Sequence, residues 1–184
     1  MFFYGNDGMY LSTDKGMTYS EVYSGIYDIL DLCEQPSGYV YAVADAEFIG
    51  FGLNGSSVGE VNSGFDANHH VGFVFADDNG DLYVASVSFD AEINRSTDNG
   101  ATFTPVFTRA AINGFTYGAT QIQKHNGIYS FYIVSNGLEQ TTNFVTYTFI
   151  HNPFPYDWTT YQFAGNNAVV AGGDGIIGIN YCLP

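Results

Sequence analysis

The sequence predicts an all-β fold assembled from repeated units of four short antiparallel strands. Three observations carry that expectation. First, Ser12-Thr13-Asp14-Lys15-Gly16-Met17-Thr18-Tyr19 matches Ser96-Thr97-Asp98-Asn99-Gly100-Ala101-Thr102-Phe103. Second, a glycine followed by alternating β-formers recurs in step with that motif. Third, no stretch sustains the 3.6-residue apolar period of a helix.

Asp14 and Asp98 lie 84 residues apart, which is two units of 42. The spacing predicts a copy near residue 56, and Asn54-Gly55-Ser56-Ser57-Val58 fills it with Asn for Asp and one residue fewer. A fourth copy, Thr141-Thr142-Asn143-Phe144-Val145-Thr146-Tyr147, carries the same two changes. The anchors Asp14, Asn54, Asp98 and Asn143 follow one another at 40, 44 and 45 residues. A fixed period of this length signals an array of one supersecondary unit.

The second signature reads Gly38-Tyr39-Val40-Tyr41-Ala42-Val43, then Gly80-Asp81-Leu82-Tyr83-Val84-Ala85, then Gly127-Ile128-Tyr129-Ser130-Phe131-Tyr132. Asn167-Ala168-Val169-Val170-Ala171-Gly172 is a weaker fifth member, after the fragment near Phe2. Turn residues precede each, and glycine or Asn-Gly between apolar runs is a strong hairpin signal.

Taken in order, the first unit has a second strand near Phe2 and no identifiable first strand. The second unit opens with Tyr27–Cys33, which could pass for a helical turn but is assigned to a strand by the repeat phase. The third unit is the clearest: Val71–Phe75, Leu82–Val87, Ala91–Ser96 and Thr102–Phe107. The fourth has its second strand near Ile128, and the fifth near Ala168. The fifth ends on Gly175–Cys182 without a fourth strand. Pro36, Pro105, Pro153 and Pro155 fall at unit boundaries, where a missing N–H is tolerated.

Four antiparallel strands per 40–45 residues are the signature of β-propeller blades. Residues 1–184 are therefore expected to form a single propeller domain of about five blades with incomplete end blades, a four-bladed arrangement being the alternative. Unfinished blades would leave open strand edges, to be covered by a neighbouring subunit.

The turn motif S-x-D-x-G-x-T-W/F resembles the Asp-box, or BNR repeat, of sialidases, sortilin-like receptors and many secreted or viral propellers. The chain is most similar in character to the non-catalytic Asp-box proteins of virions and secreted receptors. The motif speaks for a fold and not for an activity. Its residues are structural: Ser12, Asp14, Gly16, Thr18 and Tyr19 in the first copy, and Ser96, Asp98, Gly100, Thr102 and Phe103 in the third. Asn54, Gly55 and Ser57 belong to the second, and Asn143, Thr146 and Tyr147 to the fourth. The Asp accepts backbone N–H groups, and Gly16 and Gly100 supply positive φ. Tyr19 or Phe103 is expected to pack into its blade. Asn54 and Asn143 can make similar bonds and tolerate the left-handed region.

Composition narrows the function. Four Lys and Arg stand against nineteen Asp and Glu in 184 residues, a net charge of −15. Four basic groups cannot neutralise many phosphates, so nucleic acid and anionic membrane are poor partners. An aromatic content of 17% argues against disorder. No apolar run has the length of a membrane helix. Met1-Phe2-Phe3-Tyr4-Gly5-Asn6-Asp7 has neither a basic nor an apolar leader region, so no signal peptide is visible. Cys33 and Cys182 read as two buried thiols, with a bridge open if the chain ends meet.

The resemblance to sialidases implies three arginines gripping a substrate carboxylate. Only Arg95 and Arg109 exist, so that chemistry does not carry over. No pair of carboxylates stands out for glycoside hydrolysis, and no catalytic residue is assigned. Asp77, Asn79 and Asp81 place oxygens at alternating positions, a weak Ca²⁺ candidate; the competing reading is the hairpin turn found there in every unit. His69, His70, His125 and His151 lack ligand spacing. Phe154, Tyr156 and Trp158, in the segment between units, form the best candidate contact loop for glycan or protein. The expected function is a non-enzymatic structural, assembly or binding module, virion-associated as a decoration or tail protein. Its expected partners are other subunits of a larger assembly, its location virion or extracellular. A lectin-like glycan-binding propeller is the alternative, and a glycan hydrolase a more distant one.

Overall fold

The computed structural model describes residues 1–5, 8–24, 29–44, 47–51, 57–60, 63–65, 70–86, 90–110, 118–133, 137–151, 160–164, 167–172 and 175–180. Among them there is no helix, and the strands form five antiparallel sheets. The first sheet holds β1 (Phe2–Gly5), β2 (Gly8–Leu11) and β3 (Ser20–Tyr23). The second holds β4 (Ile29–Glu34), β5 (Val40–Ala44), β6 (Glu47–Phe51) and β7 (Ser57–Glu60). The third comprises β8 (Val71–Ala76), β9 (Leu82–Ser86), β10 (Ala91–Ser96) and β11 (Thr104–Arg109). β12 (Ala119–His125), β13 (Ile128–Ile133), β14 (Gly137–Thr141) and β15 (Thr148–His151) make the fourth. β16 (Thr160–Ala164), β17 (Asn167–Gly172) and β18 (Gly175–Asn180) make the fifth.

Within every sheet each strand pairs with its sequence neighbour, so each unit is a meander. The strand totals per unit match the sequence reading, and Tyr27–Cys33 resolves as β4 starting at Ile29. Boundaries moved most in the third unit, where the fourth strand begins at Thr104 because residues 97–103 are consumed by the turn.

The second strand β9 is buried along its whole length and Val40–Val43 of β5 are buried too, and their period-2 alternation divides them between two neighbours. Val40 and Ala42 join Met9 of β2 and Ile29 in one apolar cluster. Tyr41 and Val43, on the opposite face of β5, join Val71, Val74, Leu82 and Val84. Tyr83 and Ala85, on the opposite face of β9, pack with Ile122, Tyr129, Phe131 and Ile133 of the fourth sheet. Each interior sheet is thus apolar on both faces and needs two flanking sheets. Burying one of these side chains contributes about 1.5–3 kcal/mol, so the stack of sheets, and no single sheet, is the folding unit.

The hairpin turns follow their sequences. Gln35 and Asp77 each close a turn in which the glycine three residues on donates back to them, Gly38 N to Gln35 O at 2.8 Å and Gly80 N to Asp77 O at 2.9 Å. Those glycines sit at φ 89°. The β12–β13 turn is shorter: Asn126 and Gly127 both take positive φ, 50° and 78°, as a two-residue hairpin loop requires.

Candidate functional site

Both kinds of turn, the hairpin between first and second strands and the loop between third and fourth, emerge at the same end of the sheets. In the first sheet, Asp14 Oδ1 accepts Met17 N at 3.0 Å and Thr18 N at 2.9 Å, and Oδ2 accepts the Thr18 hydroxyl at 2.6 Å. The Ser12 hydroxyl donates to Asp14 at 2.9 Å and accepts Gly16 N at 2.7 Å. The third sheet repeats this: Ser96 Oγ to Asp98 at 2.7 Å, Gly100 N to Ser96 at 2.8 Å, Thr102 N and Oγ1 to Asp98 at 2.9 and 2.6 Å. The Thr18 and Thr102 hydroxyls hold the Asp14 and Asp98 carboxyls down to about 2. Both loops place two consecutive residues at positive φ, Lys15 with Gly16 and Asn99 with Gly100.

The shortened copy works differently. Asn143 Oδ1 accepts Val145 N at 2.9 Å and Thr146 N at 3.0 Å, and Thr141 Oγ1 accepts Phe144 N at 2.9 Å. The left-handed residue is Phe144, at φ 55°, and not Asn143. One residue fewer leaves one left-handed position, and it falls after the anchor. The terminal aromatics also divide. Phe103 packs beside the cluster of the second and third sheets. Tyr19 is 56% exposed and corrects the expectation that it packs inward. Tyr147 meets Phe107 at 5.3 Å, edge to face, and its hydroxyl donates to Val106 O at 2.9 Å.

Asp77, Asn79 and Asp81 lie in the hairpin turn, and the Asp77 and Asp81 carboxylates offered as Ca²⁺ ligands have protein partners. Asp77 Oδ1 accepts Asn79 N at 2.8 Å and Asp81 N at 3.1 Å. Its Oδ2 accepts the Tyr129 hydroxyl at 2.6 Å and pairs with Lys124 Nζ at 3.0 Å. Burial pushes the Asp77 carboxyl upward, and the Tyr129 hydroxyl, Lys124 and the two amides together outweigh it, leaving it below its ordinary value. Asp81 accepts Arg95 Nε at 3.0 Å. Among the described residues no group of three His, Cys, Asp or Glu side chains is arranged to hold a metal.

Two further relationships escaped the sequence. Glu139 of β14 is buried and pairs with Arg109 of β11, tying the third sheet to the fourth. Arg109 also lies 5.7 Å from the Phe107 ring and 5.9 Å from that of Phe149. Gln35, buried at the β4–β5 turn, donates to Gly80 O and reaches Asn99 Oδ1 at 3.4 Å. Neither pair leaves a local signal, because its members come from different units. Arg95 with Asp81 is closer to legible, since Arg95 lies in β10 and Asp81 immediately precedes β9, the strand it pairs with.

Cys33 is a free thiol that burial pushes well up. Cys182, the contact-loop residues Phe154, Tyr156 and Trp158, and the turn residues Asn54 and Gly55 lie outside the described residues. Ser57 opens β7.

Repeated four-strand meanders packed face to face define a protein of the β-propeller type. The solved structures it resembles have that fold. YCF48 bound to D1 peptide matches at TM-score 0.72 and 12% identity, over 99% of this chain and 61% of that one. The extracellular domain of a hybrid two-component system from B. thetaiotaomicron matches at 0.76 and 10%, over 100% and 26%. Streptogramin B lyase matches at 0.69 and 13%, over 97% and 63%. The chain spans less than two thirds of each of these three proteins. No family model and no curated protein matches the sequence.

Proposed function

We propose that the chain is a non-catalytic binding and assembly module, working as a virion-associated decoration or tail protein. The observation that carries this reading is the use of its cations. Lys124, Arg95 and Arg109 are engaged by Asp77, Asp81 and Glu139, so three of the four basic side chains brace the fold. Such groups are not poised to grip an anionic substrate, and the carboxylates they hold are not poised to transfer protons. YCF48 bound to D1 peptide is among the similar structures, and rigid turns at one end suit that use. The lectin alternative draws on the partly exposed aromatic side chains Tyr147, packed on Phe107, and Phe149, beside Arg109.

The test is quantitative mass spectrometry of gradient-purified particles from cells that make the protein. The expected result is a fixed copy number per particle and no signal on a glycan array. Absence from particles, or hydrolysis of a glycan that depends on Asp77 or Glu139 in a variant that still folds, would overturn the reading.

A further inference from the structure

The turn-bearing end carries exposed apolar side chains at a repeated position. Val145 is 77% exposed and Met17 is 83% exposed. They occupy the same repeat position, one residue before the motif Thr, and exposed Ala101 takes that position in the third sheet. These side chains are held out rigidly: the Met17 and Val145 amides are each pinned by the motif Asp or Asn. A preformed display of this kind loses little freedom on binding.

The end is one continuous surface across the second, third and fourth sheets. Gln35 bonds to the Gly80 carbonyl, the Tyr41 hydroxyl bonds to the Asn99 carbonyl, and Tyr83 stacks on Phe144 at 5.4 Å. Exposed Tyr39 stands beside the Gln35 turn. Across the second, third and fourth sheets the exposed charge of these turns is acidic, and the exposed cation at this end, Lys15, belongs to the turn of the first sheet. Asp14 and Asp98 stay ionised down to about pH 2, and Glu34 and Asp78 are exposed without an ion pair among the described residues. The cations nearest by, Lys124 and Arg95, are turned to Asp77 and Asp81.

We infer that this end docks a basic polypeptide segment that carries apolar side chains, the cations meeting Glu34, Asp78 and Asp98 and the apolar groups covering Val145 and Tyr39. Charge complementarity selects that occupant. A second copy of the chain, at a net charge of −15, would bring like charge to like. Apolar anchors within a charged rim are the usual anatomy of such a contact. The inference names the partner class for the binding reading above and rests on it.

The experiment titrates the full chain with three synthetic peptides of one length, alternating Lys with Leu, Lys with Ser, or Glu with Leu. The Lys-Leu peptide is expected to bind, with affinity falling about tenfold between roughly 50 and 200 mM salt. Val145→Ser should weaken it roughly tenfold, the loss of one buried aliphatic side chain. The pair Glu34→Gln with Asp78→Asn should flatten the salt dependence. All three positions are exposed, and unchanged circular dichroism and melting establish that the variants fold. Equal binding of the Lys-Leu and Lys-Ser peptides, no binding of Lys-Leu, or no effect of Val145→Ser would overturn the inference. A chain present on particles that fails these titrations would keep the binding reading and lose this surface.

Discussion

The Tyr41 hydroxyl donates to the Asn99 carbonyl at 2.9 Å, from the second strand of one sheet to the left-handed residue in the turn of the next. The following pair of sheets repeats the relationship with different chemistry: Tyr83 lays its ring on Phe144, the left-handed residue of the shortened turn. The repeat therefore conserves a position between units, not a bond. Tyr41→Phe should cost about 0.5–1.5 kcal/mol, the net value of one hydrogen bond. At this chain length that is a fall in Tm of roughly 1–6 °C, to be read by calorimetry. An unchanged melting point would mean the hydroxyl does not join the sheets.

Arg109 and Glu139 should behave as a unit. Glu139 has 1% of its side chain exposed, and among the described residues neither of its carboxylate oxygens has a hydrogen bond beyond the Arg109 ion pair. Arg109→Met leaves a buried, unpaired carboxylate and should cost about 3–5 kcal/mol. The double variant Arg109→Met with Glu139→Leu removes both charges and should recover most of that loss. Denaturant unfolding of the four-member cycle measures the coupling; additive losses would show that the two groups act separately.

Much of this fold was legible because its signals are local. A glycine three residues past Gln35 or Asp77, and Asp14 or Asp98 two residues past a serine, each specify a turn within a few residues. The two-residue alternation then identifies the strands between turns. The clamps were not legible for the opposite reason. Lys124 and Asp77, or Arg109 and Glu139, meet only after separate sheets have stacked, and a single sequence carries no register between sheets. Tyr19 shows the limit of repeat reasoning: it shares its motif position with Phe103, but Phe103 packs on a cluster that its sheet shares with the sheet before it, and Tyr19 stands in the first sheet.

Acid should weaken the fold through its turns. Asp14 and Asp98 have folded pKa values of about 2, below the ordinary carboxylate value of 3.8. Their stabilisation is therefore complete above about pH 4 and is lost as pH falls toward 2. Asp77 acts in the same direction. Asp31 opposes them: burial raises its carboxyl, so its contribution is complete at low pH and is lost as pH rises. Melting points between pH 7 and pH 2 should fall on the acid side, and Asp98→Asn should make that fall shallower. An acid limb unchanged by Asp98→Asn would remove the turn carboxylates from the explanation.

Two glycines at positive φ should respond differently to alanine. A Cβ on Gly8, at φ 147°, would lie 2.2 Å from the Tyr23 carbonyl oxygen, which belongs to the paired backbone and cannot swing away. A Cβ on Gly127, at φ 78°, would meet nothing within 4 Å. Gly127→Ala should cost about 1 kcal/mol from its left-handed backbone alone. Gly8→Ala should cost well over twice as much, with strand β2 displaced from β3. Equal losses by denaturant unfolding would contradict the close approach of Gly8 to Tyr23 in the first sheet.

The central claim is that Lys124, Arg95 and Arg109 are held by carboxylates, and that the turn-bearing end of the second, third and fourth sheets is left acidic for a partner. The chain has two lysines, which makes the claim directly measurable. Lys124 Nζ lies 3.0 Å from buried Asp77 and 5.0 Å from the Tyr129 ring, whereas Lys15 is exposed at a turn tip and makes no ion pair among the described residues. Amine-reactive labelling of the native protein, resolved by peptide mass spectrometry over time, should modify Lys15 at least roughly tenfold faster than Lys124, with the difference vanishing in denaturant. Equal rates in the native protein would mean that Lys124 faces solvent, and the clamp account would fail.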